Sequence, residues 1–395
     1  MTSAPPGACA LEVAITARPN TSTGLTGTSR RAFLVGSFAL GGAAALGACG
    51  SDGIRRAGTG VSPTSADGRG GLTVLIWPRA EHLSLIDAFT KATGTPVRVE
   101  IAGSDTAVHD RLVAADRSGR YDLVVTGGAS FANLVEQKLI ETIDHAAIPG
   151  YAGLSPSLFE LPYDPGLVHS VPMIIGTTGI MWDRSALPGG APDWGSFLTA
   201  AARPGVSGRV SAFDDGSSLE GIVVWADGTT LSSLDGAGIT KAQDAVLERL
   251  APHLRCLDNC PAQQLLDGKV VLAQIANGDA RSVLLEQPDR FGWALGAPRT
   301  ERWIDAWAMA KGTTHREEAN ALLDFVLQPA NATTTTTELG FDTGVELSRN
   351  DVPALPLADM IRFTPEQVTT MEPDSSDDLD PQEARFIERV RQAIP

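Results

Sequence analysis

From Leu72 onward the chain reads strand, helix, strand, helix, strand, and that order constrains its fold more than any other feature. Leu72-Thr73-Val74-Leu75-Ile76-Trp77 is a short apolar run of the buried-strand kind. Leu85, Ile86 and Phe89 recur at helical spacing, and the pattern stops at Thr93-Gly94. Val97-Arg98-Val99-Glu100-Ile101 alternates as a second strand. Val108, Leu112 and Val113 mark another helix, and Leu123-Val124-Val125 then runs into Gly127-Gly128. Strands joined through helices predict an α/β fold with a parallel sheet and right-handed crossovers. Ligands of such sheets sit beyond the carboxyl ends of the strands. Trp77 and the loop Thr126–Phe131, which carries Ser130, stand at those ends.

A second set of elements follows Val168 to Met173. Arg209-Val210-Ser211-Ala212 reads as a strand, and Phe213-Asp214-Asp215 leads into a helix. Asp215, beside Asp214 and Gly216, suits a helix cap as well as a solute contact. A helix with Ala245, Leu247 and Leu250 precedes a strand from Val270 to Ile275. Trp303 to Met309 reads as another buried strand, with helices expected over 315–328 and 331–339. Asp305 stands alone in that apolar strand, where a buried carboxylate without a partner is costly. Trp303, two residues away, shares its face, and Trp307 reads as core. Near the end, Glu372, Asp374, Asp377, Asp378 and Asp380 form an acidic stretch without calcium-loop spacing, expected to be a solvated loop.

Ahead of the folded part lies Ser29 to Gly50, reading SRRAFLVGSFALGGAAALGACG. Arg30 and Arg31 before a short apolar run read as a twin-arginine export signal. The run from Ala32 to Ala48 is shorter than the about 20 apolar residues a spanning helix needs. Its end, Leu46-Gly47-Ala48-Cys49, looks like a lipobox, so Cys49 is the expected lipid attachment point and membrane anchor. Residues 1–48 are thus expected to be removed, with 49–71 a Gly/Ser/Pro-rich tether. The expected location is extracytoplasmic. Cys256 and Cys260 then remain as the thiols of the folded part, and a disulfide between them is expected in an oxidising compartment. Adding His253 gives three ligands, too few for a structural zinc site. A net charge of −16 repels phosphates and argues against a nucleic-acid partner. No G-x-S-x-G, H-E-x-x-H or phosphate-loop motif is present, so neither an enzyme nor a resident cofactor is indicated.

From about Leu72 to the C-terminus the chain resembles bacterial ABC-transporter solute-binding proteins of the spermidine/putrescine-binding family. The residues that carry the resemblance are the strand ending at Trp77, Phe89-Thr90-Lys91-Ala92-Thr93-Gly94, and Tyr121-Asp122-Leu123-Val124-Val125. Trp194-Gly195-Ser196-Phe197, Gly208-Arg209-Val210, Asp267-Gly268-Lys269-Val270 and Asn277-Gly278-Asp279 continue it in order. Glu318-Ala319 through Phe325-Val326-Leu327-Gln328-Pro329 closes it. The resemblance implies a type II periplasmic-binding-protein fold, with two α/β lobes joined by crossing hinge strands. Lobe 1 is expected over 72–172 and 304–345, and lobe 2 over 173–303 and 346–395. It further implies a monomer that hands a small solute, a polyamine or other cationic amine, to an ABC permease. Trp77, Asp215, Trp303 and Asp305 stand where the family places its aromatic wall and amine-binding carboxylates, and Ser130 joins them. Ala80, Ala129 and Ala276 replace usual cage aromatics, and Ser218 stands where the family carries a Glu. Those departures keep a neutral or zwitterionic solute, or a sensor without uptake, as alternatives.

Overall fold

The computed structural model describes residues 71–76, 84–102, 104–346, 354–374 and 381–395. Its strands are β1 (Leu72–Ile76), β2 (Val97–Ile101), β3 (Leu123–Gly127), β4 (Ser170–Asp183) and β5 (Val210–Ala212). There follow β6 (Leu254–Leu257), β7 (Leu272–Ala276), β8 (Phe291–Leu295), β9 (Thr300–Met309) and β10 (Met371–Pro373). The hydrogen-bonded order is β2-β1-β3-β9-β4-β7-β5-β6, with β10 on β9 and β8 on β4. β1, β2 and β3 pair in parallel, while β9 joins β3 antiparallel. The parallel expectation therefore holds for the first three strands, and the whole sheet is mixed.

β4 serves two sheets. From Ser170 to Thr177 it pairs with β9, and from Thr178 onward it pairs with β7 and β8. One 14-residue strand thus leaves one α/β layer and enters the next. It is buried along nearly all of its length, so only residues without obligate solvation suit it, and Val171, Ile174, Ile175, Ile180 and Met181 are core side chains. Separate apolar cores lie on the two sides of the switch. One joins Leu72, Phe89, Val171, Trp307 and Leu323; the other joins Ile180, Trp194, Trp225, Val246 and Phe386. A third core, with Tyr121, Val124 and Phe131, lines the opposite face of the first sheet. This is the two-lobed α/β architecture of type II binding proteins.

Helices form where capping and periodicity agree. Ser104 caps Asp105–Ala115 through the Ala107 N–H, and Asp193 closes a capping box on Trp194–Ala201. Pro329–Leu339 is less obvious, because its run of β-branched threonines disfavours a helix. Here Thr333, Thr334, Thr335 and Thr337 each donate back to a carbonyl four residues earlier, and Gly340 ends the helix at φ 79°.

Two expectations fail. The loop expected over Thr126–Phe131 is instead the end of β3 followed at once by the helix Gly128–Glu136. Glu372 is not in a solvated loop: it is buried in β10, opposite Glu301. Its carboxylate accepts from the Trp225 indole (2.5 Å), the Leu231 N–H (3.0 Å) and Ser232. The donors explain why burial is tolerated. Glu372→Ala strands these buried donors. The expected cost, roughly 1.5–3 kcal/mol for lost charged hydrogen bonds, appears as a lower urea midpoint at unchanged m-value. A midpoint equal to wild type would show that Glu372 contributes no more than a surface acid.

Candidate functional site

The carboxyl ends of the second lobe's strands turn toward the first lobe. Phe213, just after β5, and Ala276, at the end of β7, pack into the first lobe's core rather than their own. At the same level β4 and β9 are stitched together by hydroxyls. Thr177 Oγ1 donates to the Glu301 carbonyl (2.6 Å), Thr300 Oγ1 to the Thr178 carbonyl (2.6 Å), and Asn277 accepts from the Thr177 N–H (2.9 Å).

Three side chains share one face of β9 by alternation: Glu301, Trp303 and Asp305. Trp303 lies flat across β4, where its cross-strand partner is Gly176. A Cβ on Gly176 would collide with Cζ2 of the indole, so only glycine admits the ring here. Phe341 meets the ring edge-on at 5.1 Å between centroids. Asp305 is opposite Gly127 in β3, and a Cβ on that glycine would sit 2.9 Å from Oδ1. Two glycines thus clear the sheet surface for one aromatic ring and one carboxylate.

Asp305 has no hydrogen bond or ion pair among the described residues. It keeps part of its surface open although protein surrounds it. Burial pushes its pKa up to about 7. Tyr163 is close enough that the Asp305 charge, after burial, helps keep its phenol protonated. The Tyr163 hydroxyl and the Ser130 Oγ are both buried without a hydrogen-bond partner among the described residues. Tyr163 packs against Phe131, the neighbour of Ser130, at 5.9 Å between ring centroids.

Glu301 is a different case. It is 3% exposed and accepts from Thr178 Oγ1 (2.5 Å) and Ser218 Oγ (3.0 Å). Burial first, then the Asp215 carboxylate, hold its pKa well above the usual carboxylate range. Asp215 caps the helix Gly216–Ala226, accepting from the Ser218 N–H (2.6 Å) and Ser217 Oγ (3.0 Å). Its neighbour Asp214 is tied outward to Arg391 at 2.7 Å.

The structure therefore places Asp305 at the β3–β9 pairing with Ser130 in the helix that follows β3, lays Trp303 across β4, and gives Asp215 a capping role near Glu301. Trp77, Arg30, Arg31 and Cys49 lie outside the described residues, as do Ala80 and the side chain of Ala129. The expected Cys256–Cys260 bridge is not formed, because Cys256 is a free thiol. Extended β6 directs its sulfur onto Ser211 Oγ (3.8 Å) and Gln264 (3.5 Å), and burial raises its pKa. Sequence reasoning misses Glu301 and Tyr163. The first is hidden by the charged run Arg299-Thr300-Glu301-Arg302, which reads as a strand boundary although its alternation continues into Trp303 and Asp305. Nothing in the sequence marks Tyr163.

The Asp305 environment predicts a pH signature. An unfolded aspartate titrates near 4, so the folded protein holds this proton more tightly. The stability it confers is fully present below about pH 4 and is lost as pH rises through about 7. In ligand-free protein, Asp305→Asn should melt higher than wild type by a margin that grows between pH 5 and pH 8. A variant that melts lower than wild type at every pH would mean that Asp305 has a structural partner.

Comparison with known proteins agrees with this architecture. The sequence model of the bacterial extracellular solute-binding protein family matches residues 84–353. The chain is 25% identical to spermidine/putrescine-binding periplasmic protein 1 of Haemophilus influenzae over 275 residues, 69% of this chain and 75% of the relative. It is 25% identical to the spermidine/putrescine-binding periplasmic protein of Escherichia coli over 287 residues, 72% of this chain and 80% of the relative. A solved lipoprotein of Treponema pallidum superposes at a TM-score of 0.69 and 21% identity, covering 82% of this chain and 99% of that one. Among the described residues no helix is long and apolar enough to cross a membrane. The chain belongs to the bacterial extracellular solute-binding proteins, which bind small solutes for ABC transporters and are not enzymes.

Proposed function

We propose that the solute is a cationic amine, of the polyamine class or smaller, held between the lobes and delivered to an ABC permease. The observation that carries this reading is the Asp305 carboxylate, which is surrounded by protein, has no partner among the described residues and lies beside the half-buried Trp303 on one strand face. An ammonium there would restore the ionised carboxylate through a charge-assisted hydrogen bond and rest on the indole face. The relatives named for spermidine and putrescine support the same class. Asp215 completes the proposed contacts from the second lobe, and Trp77, outside the described residues, is proposed to join them. Closure is a hinge motion about the β4 and β9 crossing.

Calorimetric titration of the protein with spermidine, putrescine, glycine betaine and glucose tests the class. Binding of an amine is expected, weakened in Asp305→Asn by roughly 1.5–3 kcal/mol. Binding should also strengthen from pH 6 to pH 8, as Asp305 loses its proton. An amine affinity equal in wild type and variant would remove Asp305 from the site, and selective binding of betaine or glucose would end the cationic reading.

The same reading places the protein as a lipoprotein outside the cytoplasmic membrane, exported through Arg30-Arg31, anchored at Cys49 and acting as a monomer. Cys49→Ser should move it from the membrane to the soluble fraction. Tight membrane retention of that variant would refute the anchor.

A further inference from the structure

The solute contacts proposed above occupy one end of the first lobe's strands, and a different chemistry gathers at the other. β1 and β3 run parallel and β9 runs against them, so the starts of β1 and β3 and the finish of β9 lie together. The Asp122 N–H donates to the Thr73 carbonyl (2.8 Å), and the Asp122 carbonyl accepts from the Ala310 N–H (2.9 Å). The chain that precedes Leu72 therefore enters the fold here, at the end remote from Gly127 and Asp305.

Cations collect at this end. Glu100 is met by Arg98 (2.9 Å), Arg120 (3.4 Å) and Arg111 (3.9 Å), three guanidinium groups on one carboxylate. The Glu100 side chain is 14% exposed and the arginines 41% or more, so the acid lies inside and the cations face solvent. Beside them is an open-mouthed cavity of about 220 Å³. Leu112, Tyr121 and Leu139 give it apolar walls; Arg117, Arg120 and Lys311 line it as well, and no acid does. Arg117, held at φ 56°, makes no side-chain hydrogen bond or ion pair among the described residues. Its turn packs against the one after β9, where a Cβ on Gly119 would sit 2.6 Å from the Gly312 carbonyl, and this sets Arg117 and Arg120 beside Lys311. Lys311 also pairs with Glu141 (3.0 Å), an acid it shares with Arg316 (3.3 Å). Even with the exposed acids Asp110 and Asp116 alongside, the patch is positive, whereas the whole chain carries −16.

We propose that this end of the first lobe docks on the membrane, seating the headgroup of an anionic phospholipid between Arg117, Arg120 and Lys311, with Arg98 and Arg111 beside it. Cationic side chains pair with the headgroup phosphate, and the apolar walls suit its glycerol and first methylenes. The choice of occupant rests on the anchor at Cys49 proposed above. Residues 50–70 join that cysteine to the fold, and a Gly/Ser-rich chain of such length spans roughly 25 Å. Because it enters the lobe beside the patch, the tether holds this end near the bilayer and raises its effective concentration there. At a Debye length of about 8 Å the acidic surface farther from the bilayer is screened, and the docked cations are not. The Asp305 end stays uncovered, so a docked protein still takes up solute.

The test is co-sedimentation of the unlipidated full chain, Cys49→Ser, with vesicles of equal phosphatidylglycerol and phosphatidylcholine or of phosphatidylcholine alone, at about 0.1 M salt. This background should prefer the anionic vesicles by roughly fivefold or more. Adding Arg117→Gln, Arg120→Gln and Lys311→Gln together should lower that preference about threefold or more. A charge-matched control, with Arg203, Arg249 and Arg255 of the second lobe changed to Gln instead, should keep it. The leader is common to all three proteins, so differences among them read the patch. No preference for anionic vesicles, or an equal loss in both triple variants, would overturn the proposal. Should the patch triple fail to fold, Arg117→Gln alone decides through the same ratio, since that side chain has no partner to lose. The anchor reading stands or falls separately, on the fractionation of Cys49→Ser in cells, because the vesicle assay uses no lipidated protein.

Discussion

One strand belongs to two sheets, and the rest of the molecule depends on how that is arranged. β4 must give up β9 as a partner and take up β7 and β8 without leaving a buried amide or carbonyl unpaired. The change of partner falls between Thr177 and Thr178, and there the side chains take part in the backbone bonding. Thr177, Thr300 and Asn277 each bond a main-chain atom of a neighbouring strand. Side-chain hydroxyls and an amide can re-aim as strands rotate, whereas a β-ladder cannot. The crossing is therefore bonded by side chains where the β-ladder changes partner.

The three acids nearest this crossing are held in three ways. Glu372 is saturated by an indole, two amides and a hydroxyl, and it acts as a fixed strut between β10 and the second lobe. Glu301 has two hydroxyl donors, but burial first and the Asp215 charge second outweigh them and hold its pKa above the usual carboxylate range. Asp305 has no donor among the described residues. Satisfaction thus falls along the face of β9 from the second lobe toward the first, and the unsatisfied end is the one with open surface.

Much of the fold is legible in the sequence because periodicity is a property of single elements. Leu85, Ile86 and Phe89 are buried on the first helix as their spacing demands, and strand alternation alone suffices to put Trp303 and Asp305 on one face. The failures share a physical cause, which is that partners distant in sequence decide burial. Glu372 looks like part of a solvated acidic loop until Trp225 and Leu231, far back in the chain, supply its donors. Cys256 is close to Cys260 in sequence, yet strand pairing with β5 turns its thiol toward Ser211. Tyr163 sits in a connecting segment whose path no local pattern encodes. The threonine tract Thr333 to Thr337 favours extended structure residue by residue, and its helix survives on back-bonded hydroxyls.

The contact between Gly176 and Trp303 carries a consequence for how such a site diversifies. A methyl group at position 176 would occupy the place of the indole, so neither position can change freely while the other is kept. Among descendants of this chain, any side chain larger than hydrogen at 176 should be accompanied by a smaller residue at 303. The pair behaves as one inherited character. Loss of the flat indole at 303 should then arrive in a single lineage step with the gain of bulk on the facing strand.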